Sequence, residues 1–158
     1  MNIAFLSSQG GHLGQIKLIF TKEVIGINKA ILITETSEKN HPPIEKYFQG
    51  DYKTYFFIKD HLKLNPFLYF LDIMKLREIF KKEEIETLVT NGAQLSIPAV
   101  VASKLLGIKT VFLDTVIRVK TPNWSARACY LFSDIFLVQH QTMAKKYGKN
   151  ARYAGGII

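Results

Sequence analysis

Strand-like apolar segments alternate with helix-like segments along nearly the whole sequence, and this alternation constrains the fold more than any other feature. Strands are predicted at Ile3–Ser8, Ala30–Thr34, Tyr52–Ile58, Thr87–Thr90, Lys109–Asp114, Ile135–Val138 and Arg152–Ala154. Helices are predicted at His12–Lys22, Pro66–Lys82, Ile97–Leu106, Asn123–Phe132 and Thr142–Tyr147, and we expect Ser96 to cap the third of them and Gly107 to end it. Strands joined through helices form parallel sheets with helices on both faces. The sequence therefore predicts an α/β fold with a Rossmann-like parallel sheet.

Length and composition indicate a packed globular protein. The 158 residues, 47% of them hydrophobic, predict a single domain over residues 1–158. The longest apolar runs are far shorter than the roughly 20 residues that a spanning helix needs, and no signal peptide is recognisable. Cys129 is the only cysteine, which suits a reducing compartment. We expect a cytoplasmic protein, either soluble or peripheral on a membrane.

The positive charge is concentrated in the last third of the chain. Residues 1–103 carry 12 basic and 11 acidic side chains, whereas residues 104–158 carry nine basic and two acidic ones. Such a distribution favours an anionic partner, either a phospholipid surface, a diphosphate or a nucleic acid. Ordinary solubilising lysines on helix faces are the alternative explanation.

The first strand runs directly into a glycine-rich turn, Ser8-Gln9-Gly10-Gly11-His12, which precedes a helix. Glycines allow a sharp turn and a close approach of the backbone to a ligand. The free N–H groups and the dipole of the following helix favour an anion at that position. Ser8, Gly10, Gly11 and His12 are therefore predicted to bind a phosphate or diphosphate.

A second polar turn, with Asn91 and Gly92, follows the fourth strand, and Asp114 and Arg118 follow the fifth. The carboxyl ends of parallel strands meet at one edge of the sheet, where ligands bind. Asn91, Gly92 and Arg118 are therefore predicted to bind substrate together with the first turn.

Individual side chains leave alternatives open. His12 is a candidate general base or phosphate donor, or it only stiffens its own turn. Asp114 is a candidate base or hydroxyl acceptor, or it caps the next segment or pairs with Arg118. The other histidines show no spacing typical of a metal site, so we expect neither a metal nor a cofactor.

The segment 62–80 is apolar nearly all round in its first half. Such a helix is buried, or it meets lipid or a partner protein. It is too short to span a bilayer, so it is either a core helix or an interfacial one.

Several motifs together resemble a known family. They are Ser7-Ser8-Gln9-Gly10-Gly11-His12-Leu13, Thr90-Asn91-Gly92, Pro98-Ala99-Val100, Lys104–Thr110, Arg118-Val119-Lys120, Asp134–Gln139 and Tyr153–Ile157. The chain resembles the acceptor-side, membrane-anchoring subunit of two-subunit UDP-sugar transferases. This is the asparagine-linked-glycosylation fourteen family, with bacterial relatives of the PssD and CpsF type in exopolysaccharide and capsule synthesis.

The resemblance implies a fold equivalent to the N-terminal half of a GT-B glycosyltransferase. It implies an inverting transfer from a UDP-sugar to a prenyl-diphosphate-linked acceptor at the inner face of the cell membrane. His12 and Asp114 would be catalytic, although the family commonly has Glu at the position of Asp114. A second, donor-binding subunit would contact the C-terminal segment near Ile157. A single lobe of this length is expected to need that partner, since GT-B chemistry takes place between two lobes.

Three other functions remain open. A dinucleotide-binding domain would use Ser8 and Gly10 as an incomplete fingerprint and Glu35 as the ribose acceptor. A membrane scaffold would only recruit or stimulate a partner that holds all the catalytic residues. Nucleic-acid binding ranks last, because no known module is present, and we expect no nucleic-acid partner.

Overall fold

A seven-stranded parallel sheet forms the centre of the molecule in a computed structural model of the chain. The structure describes residues 1–8, 10–20, 27–36, 52–58, 65–92, 94–153 and 155–156. The strands are β1 (Asn2–Ser7), β2 (Lys29–Thr36), β3 (Lys53–Ile58), β4 (Thr87–Thr90), β5 (Lys109–Leu113), β6 (Ile135–Val138) and β7 (Ala151–Tyr153). Their order in the sheet is β3-β2-β1-β4-β5-β6-β7, and every neighbouring pair is parallel. The predicted Rossmann-like α/β fold is confirmed.

Within the described residues, five helices connect the strands. They are α1 (Gly11–Phe20), α2 (Pro66–Lys82), α3 (Ser96–Leu106), α4 (Trp124–Phe132) and α5 (Gln141–Tyr147). Helix α3 packs between α2 and α4. These helices and α5 share one apolar core with the sheet, while α1 contributes to a second, smaller core that includes Phe5 and Leu32. Helices therefore lie on both faces of the sheet, as right-handed crossovers require.

Local sequence signals set the helix ends. Asn65 precedes α2, and its side chain accepts a hydrogen bond from the Phe67 N–H at 3.0 Å, while Pro66 occupies the first helical position. Gly107 ends α3 with a φ of +69°, a left-handed conformation that glycine adopts without strain. The predicted stop at Gly107 is confirmed.

The predicted boundaries hold to within two residues wherever the structure describes both ends. The prediction that Ser96 caps α3 is wrong, because Ser96 is the first helical residue and its hydroxyl bonds to Thr90 and to the Gly92 carbonyl. Strand β2 extends through Thr36, so Glu35 lies inside the strand instead of after it. Residues 22 and 154, the predicted ends of the first helix and last strand, lie outside the described residues.

Helix α2 divides into two parts along its length. Its second half is core, with Leu76, Ile79 and Phe80 buried against the sheet and α3. Its first half is different, since Phe67 is 66% and Phe70 is 56% exposed. The core interpretation therefore holds for the second half of the helix, and the interfacial one stays a prediction for the first half. Among the described residues, no helix is long and apolar enough to cross a membrane.

A buried carboxylate ties the far end of α2 to the sheet. Glu83 directly follows α2, is 4% exposed, and contacts Lys29 Nζ at 2.5 Å and Lys53 Nζ at 2.7 Å. It also accepts a hydrogen bond from the Tyr55 hydroxyl. These partners lie on β2 and β3, so one side chain joins the helix to two strands.

The strand order places a crevice at the carboxyl edge between β1 and β4. The chain winds outward from β1 through β2 to β3, and then returns to the other side of β1 as β4. At such a reversal the loops after the two central strands diverge and leave room for a ligand. The loops after β1 and β4 are the two that carry the glycine motifs.

Candidate functional site

The turn after β1 brings its backbone to the mouth of this crevice. Gly10 has a φ of +83°, which a residue with a Cβ rarely adopts, and Gly10 and Gly11 are both exposed. Helix α1 begins at Gly11, so the first backbone N–H groups of α1 have no acceptor within the helix. Ser8 lies half-buried at the end of the strand. This arrangement can hold a phosphate.

The loop after β4 packs directly against the turn. The Asn91 side-chain amide donates to the His12 carbonyl oxygen at 2.5 Å. Gly92 has a φ of +113°, and a Cβ at this position would stand 3.3 Å from His12 Cε1. The absence of a side chain at Gly92 therefore makes room for the imidazole. The structure brings His12, Asn91 and Gly92 together, as the sequence predicts.

His12 sits in an environment that favours its neutral form. Burial lowers the pKa of His12, and the positive charge of Arg118 lowers it further, while a backbone contact with Asn91 acts in the opposite direction. Its Nδ1 is buried and has no hydrogen-bond partner among the described residues. A neutral imidazole at the crevice can accept a proton.

Gln15 links the two loops to the end of β5. Its side-chain oxygen accepts from the Asn91 amide at 3.3 Å, and its Nε2 donates to the Asp114 carbonyl oxygen at 3.5 Å. The sequence analysis assigned no role to Gln15. The available signal was its position one helical turn after His12, which places both side chains on one side of α1.

Asp114 lies at the end of β5 and is only 3% exposed. Its carboxylate accepts a hydrogen bond from the Thr115 N–H at 2.9 Å, so it does cap the following segment. Burial raises the pKa of Asp114, whereas the Thr115 N–H, Tyr147 and the charge of Arg118 act to lower it. Tyr147 is a second neighbour that the sequence analysis did not identify, since it arrives from α5.

Arg118 supplies the positive charge of the site from the loop between β5 and α4. It is exposed and forms no ion pair among the described residues, yet its charge acts on both His12 and Asp114. His140 fixes the base of this loop through Nε2, 2.7 Å from the Val116 carbonyl oxygen. The loop encloses an open cavity of about 420 Å³ lined by residues 117–121. An anion can approach Arg118 freely.

Glu35 does not face the crevice as a free acceptor. It is buried, and its carboxylate accepts a hydrogen bond from the Leu95 N–H at 3.3 Å. This contact fixes the loop before α3, which is a structural role.

Metal ligands do not gather in the part of the chain that the structure describes. No group of three or more His, Cys, Asp or Glu residues there could hold an ion. Cys129 is fully buried in the core, and burial raises the pKa of its thiol to about 12. His41 and His61 lie outside the described residues.

The fold of this chain is similar to that of several solved structures. The chain is similar to MurG of Acinetobacter baumannii, with a TM-score of 0.72, 11% identity, and 99% of this chain aligned to 45% of that one. It is equally similar to the UDP-N-acetylglucosamine 2-epimerase of Rickettsia bellii, with a TM-score of 0.73, 14% identity, and 99% of this chain over 45% of that one. At such identities the likeness shows the fold, a Rossmann-like α/β domain of the GT-B type.

Sequence comparison defines the family. Residues 64–157 match the family described as "Oligosaccharide biosynthesis protein Alg14 like". The chain is also 32% identical over 79 residues to the UDP-N-acetylglucosamine transferase subunit ALG14 of Rattus norvegicus, covering 46% of this chain and 36% of that protein. This protein belongs to the Alg14-like family, as its motifs predicted. It spans less than half the length of the relatives described above.

Proposed function

We propose that this protein is the acceptor-side subunit of a heteromeric inverting glycosyltransferase. The complex would transfer a sugar from a UDP-sugar to a prenyl-diphosphate-linked acceptor in polysaccharide biosynthesis, such as that of a capsule or exopolysaccharide. The observation that carries the proposal is the placement of His12. Its imidazole, held neutral by burial, lies at the crevice between an anion-binding turn and the exposed Arg118.

In this proposal the acceptor diphosphate binds to the N–H groups at the start of α1 and to Arg118. A guanidinium and free backbone N–H groups are strong phosphate donors. His12 accepts the proton of the acceptor hydroxyl as its oxygen bonds to the anomeric carbon of the donor sugar. The bond from that carbon to UDP breaks, and UDP leaves with the bonding electrons. Attack opposite the leaving group inverts the anomeric centre.

Asp114 has a supporting role in the same proposal. Its burial keeps it out of bulk water and raises its pKa, while Tyr147 and the charge of Arg118 act on it in the opposite direction. A carboxylate in this position can accept a hydrogen bond from an acceptor hydroxyl and orient it. Ser8, Asn91 and Gly92 shape the backbone around the diphosphate.

A second subunit would supply the donor site and contact this chain near Ile157. That residue lies outside the described residues, but β7, just before it, is at the edge of the sheet and exposes Tyr153. An unpaired edge strand is a ready docking position for another chain. In this proposal the partner therefore docks against the β7 edge of the sheet.

Attachment to the inner face of the membrane would use the exposed half of α2. Phe67, Phe70, Leu71 and Met74 are exposed apolar side chains. Exposed basic residues are present in the loop before α4 and in α4 itself. Apolar and basic side chains together suit an anionic lipid surface.

The test is reconstitution of transfer with the chain and its partner. The complex is purified from mildly solubilised native cells, and UDP-N-acetylglucosamine and other UDP-sugars are offered with a prenyl-diphosphate-linked sugar. We expect His12→Ala to reduce turnover at least a hundredfold with the complex intact, and Glu78→Gln, an exposed position in the second half of α2, to change it much less. Full turnover by His12→Ala would leave a scaffold role. An isolated chain that binds NAD tightly would support a dinucleotide-binding domain.

A further inference from the structure

An apolar groove opens between the N-terminal turns of α2, α3 and α4. Its volume is about 430 Å³, within the range of small-molecule pockets. Six of the eight lining residues have purely hydrocarbon side chains, and the other two, Tyr69 and Trp124, are aromatic with a single polar group each: Pro66, Tyr69, Phe70, Ile73, Ile97, Pro98, Trp124 and Ala128. A groove of this composition suits a hydrocarbon chain.

Two of the helices that line the groove begin shortly after loops of the candidate site. Ile97 and Pro98 belong to the first turn of α3, which follows the loop of Asn91 and Gly92. Trp124 begins α4, which follows the loop of Arg118. The groove and the candidate site therefore lie on consecutive parts of the chain, at the starts of α3 and α4.

One of the residues that line the groove, Tyr69, carries a buried hydroxyl group. The Tyr69 hydroxyl oxygen is buried and makes no hydrogen bond among the described residues. Burial raises the pKa of Tyr69, and the negative charges of Asp72 and Glu35 raise it further. Because this hydroxyl is shielded from water, Tyr69 presents mainly its ring to the groove.

The charge pattern around the groove selects the head group. Between residues 87 and 133 the only acidic side chain is Asp114, which is buried, while Arg118, Lys120 and Arg127 are exposed. Phe70 and Trp124 stand at the mouth, 56% and 51% exposed. A groove with apolar walls, aromatic side chains at its opening and basic side chains nearby is suited to bind an amphiphile with an anionic head group.

We propose that this groove binds the first isoprene units of the acceptor lipid, while its diphosphate lies at Gly10, Gly11 and Arg118. The inference rests on the proposed function, and it makes the prenyl chain itself a recognised part of the substrate. The protein would then hold a segment of the prenyl chain outside the bilayer, and this segment would fix the diphosphate against α1.

Trp124 gives a direct readout, because it is the only tryptophan in the chain. The purified protein is titrated with soluble prenyl diphosphates of two, three and four isoprene units and with inorganic diphosphate. We expect a blue shift of Trp124 emission that saturates, with affinity at least tenfold tighter for the four-unit compound than for inorganic diphosphate. Ala128→Phe fills the groove and should remove that chain-length advantage.

The matched control is Leu105→Phe, an exposed position at the other end of α3, which should behave as wild type. Equal affinity for all chain lengths would overturn the proposal and leave only an anion site. A shift of the same size with phosphatidylcholine vesicles, unchanged by Ala128→Phe, would also overturn it in favour of a general lipid contact. Should Ala128→Phe fail to fold, the chain-length series on the wild-type protein still decides.

Failure of this proposal is separable from failure of the proposed function. A reconstituted complex that transfers sugar with the same KM for short and long prenyl acceptors would reject the groove and keep the transferase. Chain-length-dependent binding by a chain whose complex transfers no sugar would keep the groove and reject the transferase.

Discussion

The side-chain amide of Asn91 reaches 2.5 Å from the carbonyl oxygen of His12, joining the loop after β4 to the start of α1. The two residues are 79 positions apart in the sequence. Their contact holds the imidazole of His12 over Gly92, and the same amide also reaches Gln15. Asn91 is therefore a positioning residue for the candidate base.

Replacing Asn91 by Ala should destabilise the protein by about 1–3 kcal/mol, since a buried carbonyl and the Gln15 side chain lose a partner. Urea unfolding measures this change. Gln141→Ala, at an exposed first position of α5, is the matched control and should stay within about 0.5 kcal/mol of wild type. Equal stability of both variants would contradict the bridging role.

Adding one methyl group to Gly92 should be much more harmful than adding one to Gly14. Gly92→Ala forces a residue with a Cβ into a φ of +113° and places that Cβ 3.3 Å from His12 Cε1. We expect a cost of about 1–3 kcal/mol. Gly14→Ala, in a helix with open space around it, should be neutral or stabilise by up to about 1 kcal/mol. Thermal unfolding of the two variants decides, and a neutral Gly92→Ala would refute the steric argument.

The ion pairs of Glu83 should make the fold sensitive to acid. Hydrogen bonds from Lys29 and then Lys53 lower the pKa of Glu83 to about 2, below its ordinary 4.5. The stability that these ion pairs of Glu83 contribute is therefore fully present above pH 4.5 and is lost as the pH falls towards 2. Glu83→Gln should lower the free energy of unfolding at pH 7 by roughly 1–3 kcal/mol and flatten its dependence across that window.

Stability curves between pH 2 and pH 7 test this prediction. The control is Glu78→Gln, an exposed carboxylate of α2, which should keep the wild-type slope. An unchanged slope in Glu83→Gln would assign the acid sensitivity to other carboxylates.

Arg118 should hold the pKa of His12 down. Because burial and the charge of Arg118 both lower that pKa, His12 should titrate below pH 6.5 in the free chain. Arg118→Gln removes one of these effects, so the pKa should rise. NMR titration of the assigned His12 ring reports it without any substrate.

Lys149→Gln is the matched control for this titration. Residue 149 precedes β7 and so lies at the amino ends of the parallel strands, whereas His12 lies at their carboxyl ends. Lys149→Gln removes the same charge and should leave the His12 titration where it is. In a reconstituted transferase the acid limb of the pH–rate profile should move upward with Arg118→Gln. A His12 titration that Arg118→Gln does not move would place the guanidinium too far away to act on the base.

The fold and the loop positions could be predicted from the sequence because both depend on local patterns. Apolar runs, Gly107 after α3, and Pro66 at the start of α2 act over a few residues, and the predicted elements correspond. Because the carboxyl ends of parallel strands meet at one edge of the sheet, the sequence also predicted that His12, Asn91 and Asp114 lie at the same edge.

The pairings across the site could not be predicted in this way. Gln15 and Tyr147 contact or influence Asp114 from helices whose rotation about their axes is fixed by packing. Glu35 has a typical sequence position for a ribose acceptor, yet tertiary structure uses it to hold the Leu95 N–H. The division of α2 into a buried and an exposed half depends on where α3 covers it.

The central place of β1 also bears on how the site comes into being. Strand β1 pairs with β2 on one side and with β4 on the other, and β4 arrives more than 80 residues later in the chain. Closure of such a long loop is among the slower events in folding. The pocket of the His12 imidazole therefore forms only when β1 pairs with β4. During refolding, the rate at which the His12 environment recovers would report the rate at which these two strands pair.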